Sequence, residues 1–140
     1  MAVPTIVVGY DASPGAQVAL ERALDLAACL GDRLVIGCGV APPGGPGEEV
    51  REHRRALREH AEQLTVAALA RAREAGVDAE TELVDERPAP ALVELADRHD
   101  ARMIVVGSYG ERPIKGAILG STPHKLLHLA GRPVLVVPAG

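Results

Sequence analysis

Short, uninterrupted apolar runs alternate along this chain with longer stretches whose apolar residues recur every three or four positions. Residues 5–10, 33–40, 103–106 and 133–138 form the runs, as expected of strands buried on both faces. Residues 77–85 alternate more (Val77, Ala79, Thr81, Leu83), which suits a strand at the edge of a sheet. Four helical patterns lie between them. The first carries Leu20, Ala23, Leu24, Ala27 and Leu30 on one stripe, opens at Ser13-Pro14 and closes at Gly31. Ser13 is expected to cap it, Pro14 to fill its first position and Gly31 to end it. The second runs from 48 to 75 along Leu57, Ala61, Leu64, Ala68, Ala72 and Ala75, and stops at Gly76. Arg51, Arg54, Arg55 and Arg58 share a face of this helix, but the glutamates among them make it a solvated mixed-charge surface. Leu92, Leu95, Ala96 and His99 define a short third helix. In the fourth, Ser121 or Thr122 is the expected cap, with Pro123 in the first turn and Gly131 past the end. Residues 41–47, APPGGPG, read as loop.

Strand and helix therefore alternate throughout, with no repeat and no break, which predicts a single α/β domain over residues 1–140. Its strands should lie parallel, joined by right-handed crossovers, with helices on both faces of the sheet. Ligands in such folds sit beyond the carboxyl ends of the strands, where the strand order reverses. Asp11, Val40 and the loop 107–122 all fall at that end.

Composition narrows the partners. The formal net charge is −4, which argues against a surface for nucleic acid or anionic membrane. Phe and Trp are absent, so the core must be Val, Leu, Ile and Ala, and no aromatic platform exists for stacking bases. No apolar run approaches the ~20 residues of a membrane span and the start is not a basic signal sequence, so a cytoplasmic protein is expected. Cys29 and Cys38 sit in apolar patterns and are expected to be small buried residues; their number and spacing exclude a CxxC pair or a zinc quartet.

The chemistry is concentrated in RMIVVGSYGERPIKGAILGSTPHKLLHL, residues 102–129. An apolar strand ends at Gly107, a glycine-punctuated loop follows, and Gly120-Ser121-Thr122-Pro123 opens a helix. Glycines allow close backbone approach to an anion, and the first turn of a helix offers unpaired N–H groups at its positive end. Arg112 and Lys115 in the loop are candidates to neutralise phosphate. Other nucleotide chemistries fit worse. Lys115 is not followed by a hydroxyl, so there is no P-loop, and Gly37-Cys38-Gly39 lacks the third glycine of a dinucleotide fingerprint. His124 and His128 are spaced i, i+4 but lack a third ligand and read as surface residues, so no metal site is expected. No nucleophile–base pair is legible, and any ATP hydrolysis should be slow.

The spacing Gly107-x2-Gly110-x9-Gly120-Ser121, directly after IVVGS, resembles the nucleotide-binding signature of the universal stress protein family. The likeness extends over nearly the whole chain, through Val8-Gly9-Tyr10-Asp11-Ala12-Ser13 in the first turn and PVLVV in the last strand. It implies a three-layer α/β/α fold with a five-stranded parallel sheet of order 3-2-1-4-5, of the adenine nucleotide alpha hydrolase-like kind. ATP, with Mg²⁺, would lie between strands 1 and 4. Asp11 would stand near the nucleotide, the Val40 backbone against adenine, and Gly107, Ser108 and Gly110 along ribose and phosphates. Gly120, Ser121 and Thr122 would hold the terminal phosphates. This chain departs from the family where Pro123 replaces a frequent second hydroxyl, and at Asp85-Glu86-Arg87-Pro88, where a glycine is common. In that strand order residues 133–138 form a bare apolar edge, which together with the resemblance predicts a homodimer through it. The function expected is an adenine-nucleotide-binding regulatory module of the stress response. The alternative is a nucleotide-free family member that works as a dimeric interaction module.

Overall fold

The computed structural model describes residues 3–40, 47–109 and 119–138. Its elements follow in the order β1 (Thr5–Gly9), α1 (Pro14–Leu30), β2 (Arg33–Gly39), α2 (Glu48–Glu74), β3 (Ala79–Val84), α3 (Pro88–Arg98), β4 (Met103–Gly107), α4 (Ser121–Leu129) and β5 (Val134–Val137). All five strands are parallel in one sheet of order β3-β2-β1-β4-β5, the order the family resemblance implied. Most of the loop read at 41–47 lies outside the described residues.

The central strands explain themselves. Ile6, Val7 and Val8 are wholly buried, as are Ile104 and Val105, because helices cover both faces of the sheet. Ile6, Val8, Leu34, Ile36 and Val105 face α1 and α2. Val7, Val35, Ile104 and Val106 face α3 and α4. Burial of aliphatic surface on two sides, at about 25 cal/mol per Å², is the main force holding these layers together.

The first helix is punctuated as its sequence predicts. The Ser13 hydroxyl accepts from the Ala16 N–H at 3.1 Å, Pro14 fills the first turn, and Gly31 closes the helix at φ 72°. Leu30, however, is 44 % exposed, and Cys29 is also exposed rather than buried. The last turn of α1 runs past the sheet, so the apolar stripe ends at Ala27. The stripe of α2 is corrected in the same way. Ala61, Thr65, Ala68 and Ala72 are its buried positions, Leu57 and Leu64 are half-buried, and Ala75 is exposed. From Glu48 to Ala56 only Val50 is even partly covered.

β3 starts two residues later than the pattern suggested, at the sheet edge where its alternation placed it. The Val77 N–H donates to the Ala72 carbonyl and the Gly76 N–H to that of Arg73, with Gly76 left-handed at φ 71°. This two-bond closure of α2 occupies the donor that a strand would need. α3 ends in the same manner, with Asp100 at φ 47° and the Ala101 N–H on the Ala96 carbonyl. The fourth helix differs from expectation. Its N-cap is Gly120, and no side chain caps it; Ser121 and Thr122 belong to its first turn. Among the described residues no helix is long and apolar enough to cross a membrane.

Two bidentate ion pairs fasten distant elements. Arg102 grips the fully buried carboxylate of Asp32 at 2.7 and 3.0 Å, and Arg71 of α2 grips Glu21 of α1 at 2.8 and 2.7 Å. The Arg71 guanidinium holds the Glu21 carboxyl below its ordinary value of 4.5. A lowered carboxyl value means that the pair's stabilisation is complete above 4.5 and lost as pH falls through the folded-state value. Urea unfolding should therefore show Glu21→Gln less stable than wild type at pH 7, with the gap closing below pH 4.5.

Candidate functional site

β1 hands on to α1 on one side of the sheet, whereas β4 leads on toward α4 on the other. The chain therefore diverges beyond the carboxyl ends of these neighbouring strands, and a crevice of about 310 Å³ opens there. Tyr10 and Asp11 from the end of β1, Gly107 from the end of β4, and Gly120, Ser121 and Thr122 from the start of α4 all line it. Ser108 is buried and does not line it, and its backbone is fully engaged: its N–H donates to the Val137 carbonyl, and its carbonyl accepts from the Gly120 N–H at 2.6 Å. That last bond pins the start of α4 to the end of β4. Gly110, Arg112 and Lys115 lie outside the described residues.

Three helices begin at the crevice. α3, whose first residue Pro88 lines it, has no side-chain cap but with Pro88 and Pro90 offers only the Ala89 N–H. α1 and α4 differ more sharply. The N-terminus of α1 is closed by the Ser13 hydroxyl and by Pro14. That of α4 has no side-chain cap, so the N–H groups of Ser121 and Thr122 have no acceptor from the helix itself. Pro123, buried at the third position, has no N–H to add. The free donors and the positive end of the helix dipole therefore converge on α4 rather than α1.

The turn after β1 is strained and braced. Ala12 stands at φ 64°, a left-handed conformation that an alanine adopts at a cost of about 1–2 kcal/mol. The Asp11 carboxylate spans the turn by accepting from the Ser13 N–H at 3.0 Å, and Gln17 donates to the Ala12 carbonyl at 3.0 Å. Nothing in the sequence marks Ala12 as unusual.

Gly107 turns out to be needed by the fold itself. A Cβ on it would lie 2.7 Å from the backbone of Gly15, and one on Gly15 would lie 2.4 Å from the Tyr109 carbonyl. The first turn of α1 thus presses directly on the end of β4 and forms one wall of the crevice. Gly15 escaped the motif reading because its partner lies about ninety residues away in the chain.

Val40 is placed less simply. It follows the end of β2, nearly buried, and its N–H is already committed to the Val84 carbonyl at 2.8 Å. It does not line the crevice, whereas Gly37, Cys38 and Gly39 just before it do. Of the two backbone groups at Val40, only the carbonyl is left for a ligand. Burial, with Asp11 nearby, pushes the Cys38 thiol up to about 11, and burial also raises Tyr10. A thiol so raised is not a nucleophile at neutral pH.

Comparison with known proteins shows the family and agrees with the fold. The profile of the Universal stress protein family matches residues 3–138. A universal stress protein of Mycobacterium tuberculosis strain H37Rv is 34 % identical over 149 residues, covering 97 % of each chain. Another from Mycolicibacterium smegmatis is 34 % identical over 137 residues, and this chain spans only 45 % of its length. Among solved structures, a universal stress protein in complex with cAMP superposes with a TM-score of 0.77 at 32 % identity, both chains being fully covered.

The two cysteines should separate chemically. At pH 8 a thiol of value about 11 is roughly one part in a thousand thiolate, so a disulfide reagent should titrate Cys29 promptly and Cys38 only after unfolding. Two equally fast thiols in the folded protein would contradict this account of the crevice wall.

Proposed function

Since the chain belongs to the universal stress protein family, we propose that it binds an adenine nucleotide, ATP with its Mg²⁺, in the crevice between β1 and β4 and acts as a regulatory module of the stress response. The observation that carries this reading is the uncapped start of α4, whose free N–H groups open into the crevice. Ser121 and Thr122 would meet the terminal phosphates through these groups and their hydroxyls. Gly107, Ser108 and Gly110 would follow the ribose and the remaining phosphates, and the Val40 carbonyl would meet the adenine edge. The residues present suit a magnesium nucleotide, for Asp11 supplies a carboxylate at the rim and two hydroxyls stand at the helix start. Mg²⁺ would supply charge neutralisation of the phosphates there. The cAMP complex of the related protein supports an adenine ligand.

Charge-assisted hydrogen bonds contribute about 1.5–3 kcal/mol each, so a few of them support a micromolar complex of about −8 kcal/mol. Gly120→Val tests the site. At φ −69° the backbone itself accepts a side chain without strain and the branched group would obstruct the phosphates, and because Gly120 is buried the unfolding transition of the variant is measured alongside. Calorimetry should give micromolar ATP affinity for wild type and a loss of at least about tenfold for the variant, or about 1.4 kcal/mol. Equal affinities would sink the assignment, and tighter binding of cAMP than of ATP would transfer the site to the cyclic nucleotide.

We further propose a homodimer through residues 133–138. β5 is the sheet edge beside β4, and Leu135 on it is 38 % exposed. No charged residue interrupts 133–138, and a two-fold axis would pair this strand with its copy, closing the assembly at two subunits. Light scattering should report twice the chain mass, and Val136→Lys should abolish that species. A wild-type monomer at tens of micromolar would refute the dimer.

A further inference from the structure

The outer edge of the sheet, away from the crevice, carries a second cluster of groups with ligand chemistry. Glu80 and Glu82 are two residues apart on β3 and therefore project to the same face. His99 ends α3 on that face, at the C-cap, with its backbone fixed by a bond from its N–H to the Leu95 carbonyl. Its Nε2 touches the Glu82 carboxylate and lies 3.9 Å from Oε1 of Glu80. One ligand atom from each of the three side chains falls within 4.8 Å of the others. None of the three lines the crevice.

The neighbours are arranged as supports for such a cluster. Arg98 donates to Oε1 of Glu82 at 2.7 Å, which leaves Oε2 directed at His99. Outer groups that hold the far oxygen of a carboxylate are what orient it toward a metal. Arg33 reaches Glu80 at 3.5 Å but is held more closely by Asp78 at 3.1 Å. Asp78, Glu80, Glu82 and Glu94 thus surround only two guanidiniums, and the patch keeps a negative excess. The imidazole is 19 % exposed and the two carboxylates 24 % and 43 %, so the cluster is anchored on one side and open on the other.

We propose that Glu80, Glu82 and His99 form a site for a divalent ion of the zinc type. One imidazole nitrogen and two carboxylate oxygens make a mixed donor set, suited to Zn²⁺ and its transition-metal neighbours rather than to Mg²⁺ or Ca²⁺, which take oxygen throughout. Zinc bonds of about 2.0–2.2 Å need only a modest parting of His99 from Glu82, and three protein ligands leave the fourth position to water or a donor from outside. The cluster was not legible in the sequence, where His99 stands seventeen residues beyond Glu82 and reads as the end of a helix stripe.

His124 and His128 face each other on α4 with ring centroids 5.3 Å apart and could take up metal themselves, so the test uses a His124→Gln/His128→Gln background. Titration with Zn²⁺ should then show one ion per chain. Co²⁺ should give a visible absorption band that Zn²⁺ abolishes. Glu82→Gln, which keeps the contact with Arg98, and His99→Gln should each weaken Zn²⁺ binding by at least about tenfold. Absence of saturable binding, or binding unchanged by both substitutions, would overturn the proposal and leave a hydrogen-bonded clasp between α3 and β3. If either variant fails to fold, the ring ¹⁵N resonances of His99 in the background protein decide. A shift on adding Zn²⁺ supports the site, and resonances that do not move refute it.

Discussion

A sheet covered on both faces by aliphatic side chains, with Tyr10 the one aromatic among them, is the constraint from which the rest follows. With no Phe or Trp available, helices can fill the space above the strands only by coming close. They do so on alanine. Ala16, Ala19, Ala23 and Ala27 of α1 and Ala61, Ala68 and Ala72 of α2 are most of the buried residues on one side, with Leu20 and Leu24 among them. On the other, Leu92 and Leu95 of α3 pack directly over Gly9 and Gly37. Such a core is dense but leaves little tolerance, because a methyl group added at these contacts has backbone or a buried leucine to displace.

The same closeness shapes the crevice. Contact between Gly15 and the end of β4 sets α1 hard against the strand whose loop leads on toward α4, and Ser13 takes up the Ala16 N–H at the start of α1. The uncapped donors of Ser121 and Thr122 at the start of α4 are held in place by the short bond from Gly120 to Ser108. An uncapped helix start facing the gap between diverging loops is an electrostatic arrangement that suits a phosphorylated ligand. It needs no lysine of its own to do so, because the peptide dipoles supply the positive field.

Much of this was legible before any coordinates. The double-sided strands, the Ser13-Pro14 start and the Gly31 stop are local signals, and local chemistry determines them. What escaped reading depended on pairs remote in the chain or on where one element outruns another. Gly107 reads as a glycine for close approach to an anion, and Gly15 goes unread, until the two are seen in contact. Cys29 and Leu30 continue an apolar pattern that has lost its sheet to pack on. Val77 looks like strand until its N–H is found closing α2, and Ser121 looks like a cap until Gly120 takes that position without a side chain. Ala12 carries backbone strain that no residue preference signals, since alanine rarely stands at positive φ.

The long helix α2 has a further consequence. Its 27 residues extend about 40 Å, whereas the seven residues of β2 extend about 23 Å. Buried alanines dock the half that begins at Ala61, while the preceding turns rest on helical hydrogen bonds and on contacts such as that between Arg58 and Asp85. Opening of the docked half requires the core to come apart, but opening of the other half does not. Amide protons along this one continuous helix should thus exchange on two timescales, fast by fraying at the start and slow by global unfolding at the end. A single element of regular structure spans nearly the full range of local stability in the molecule.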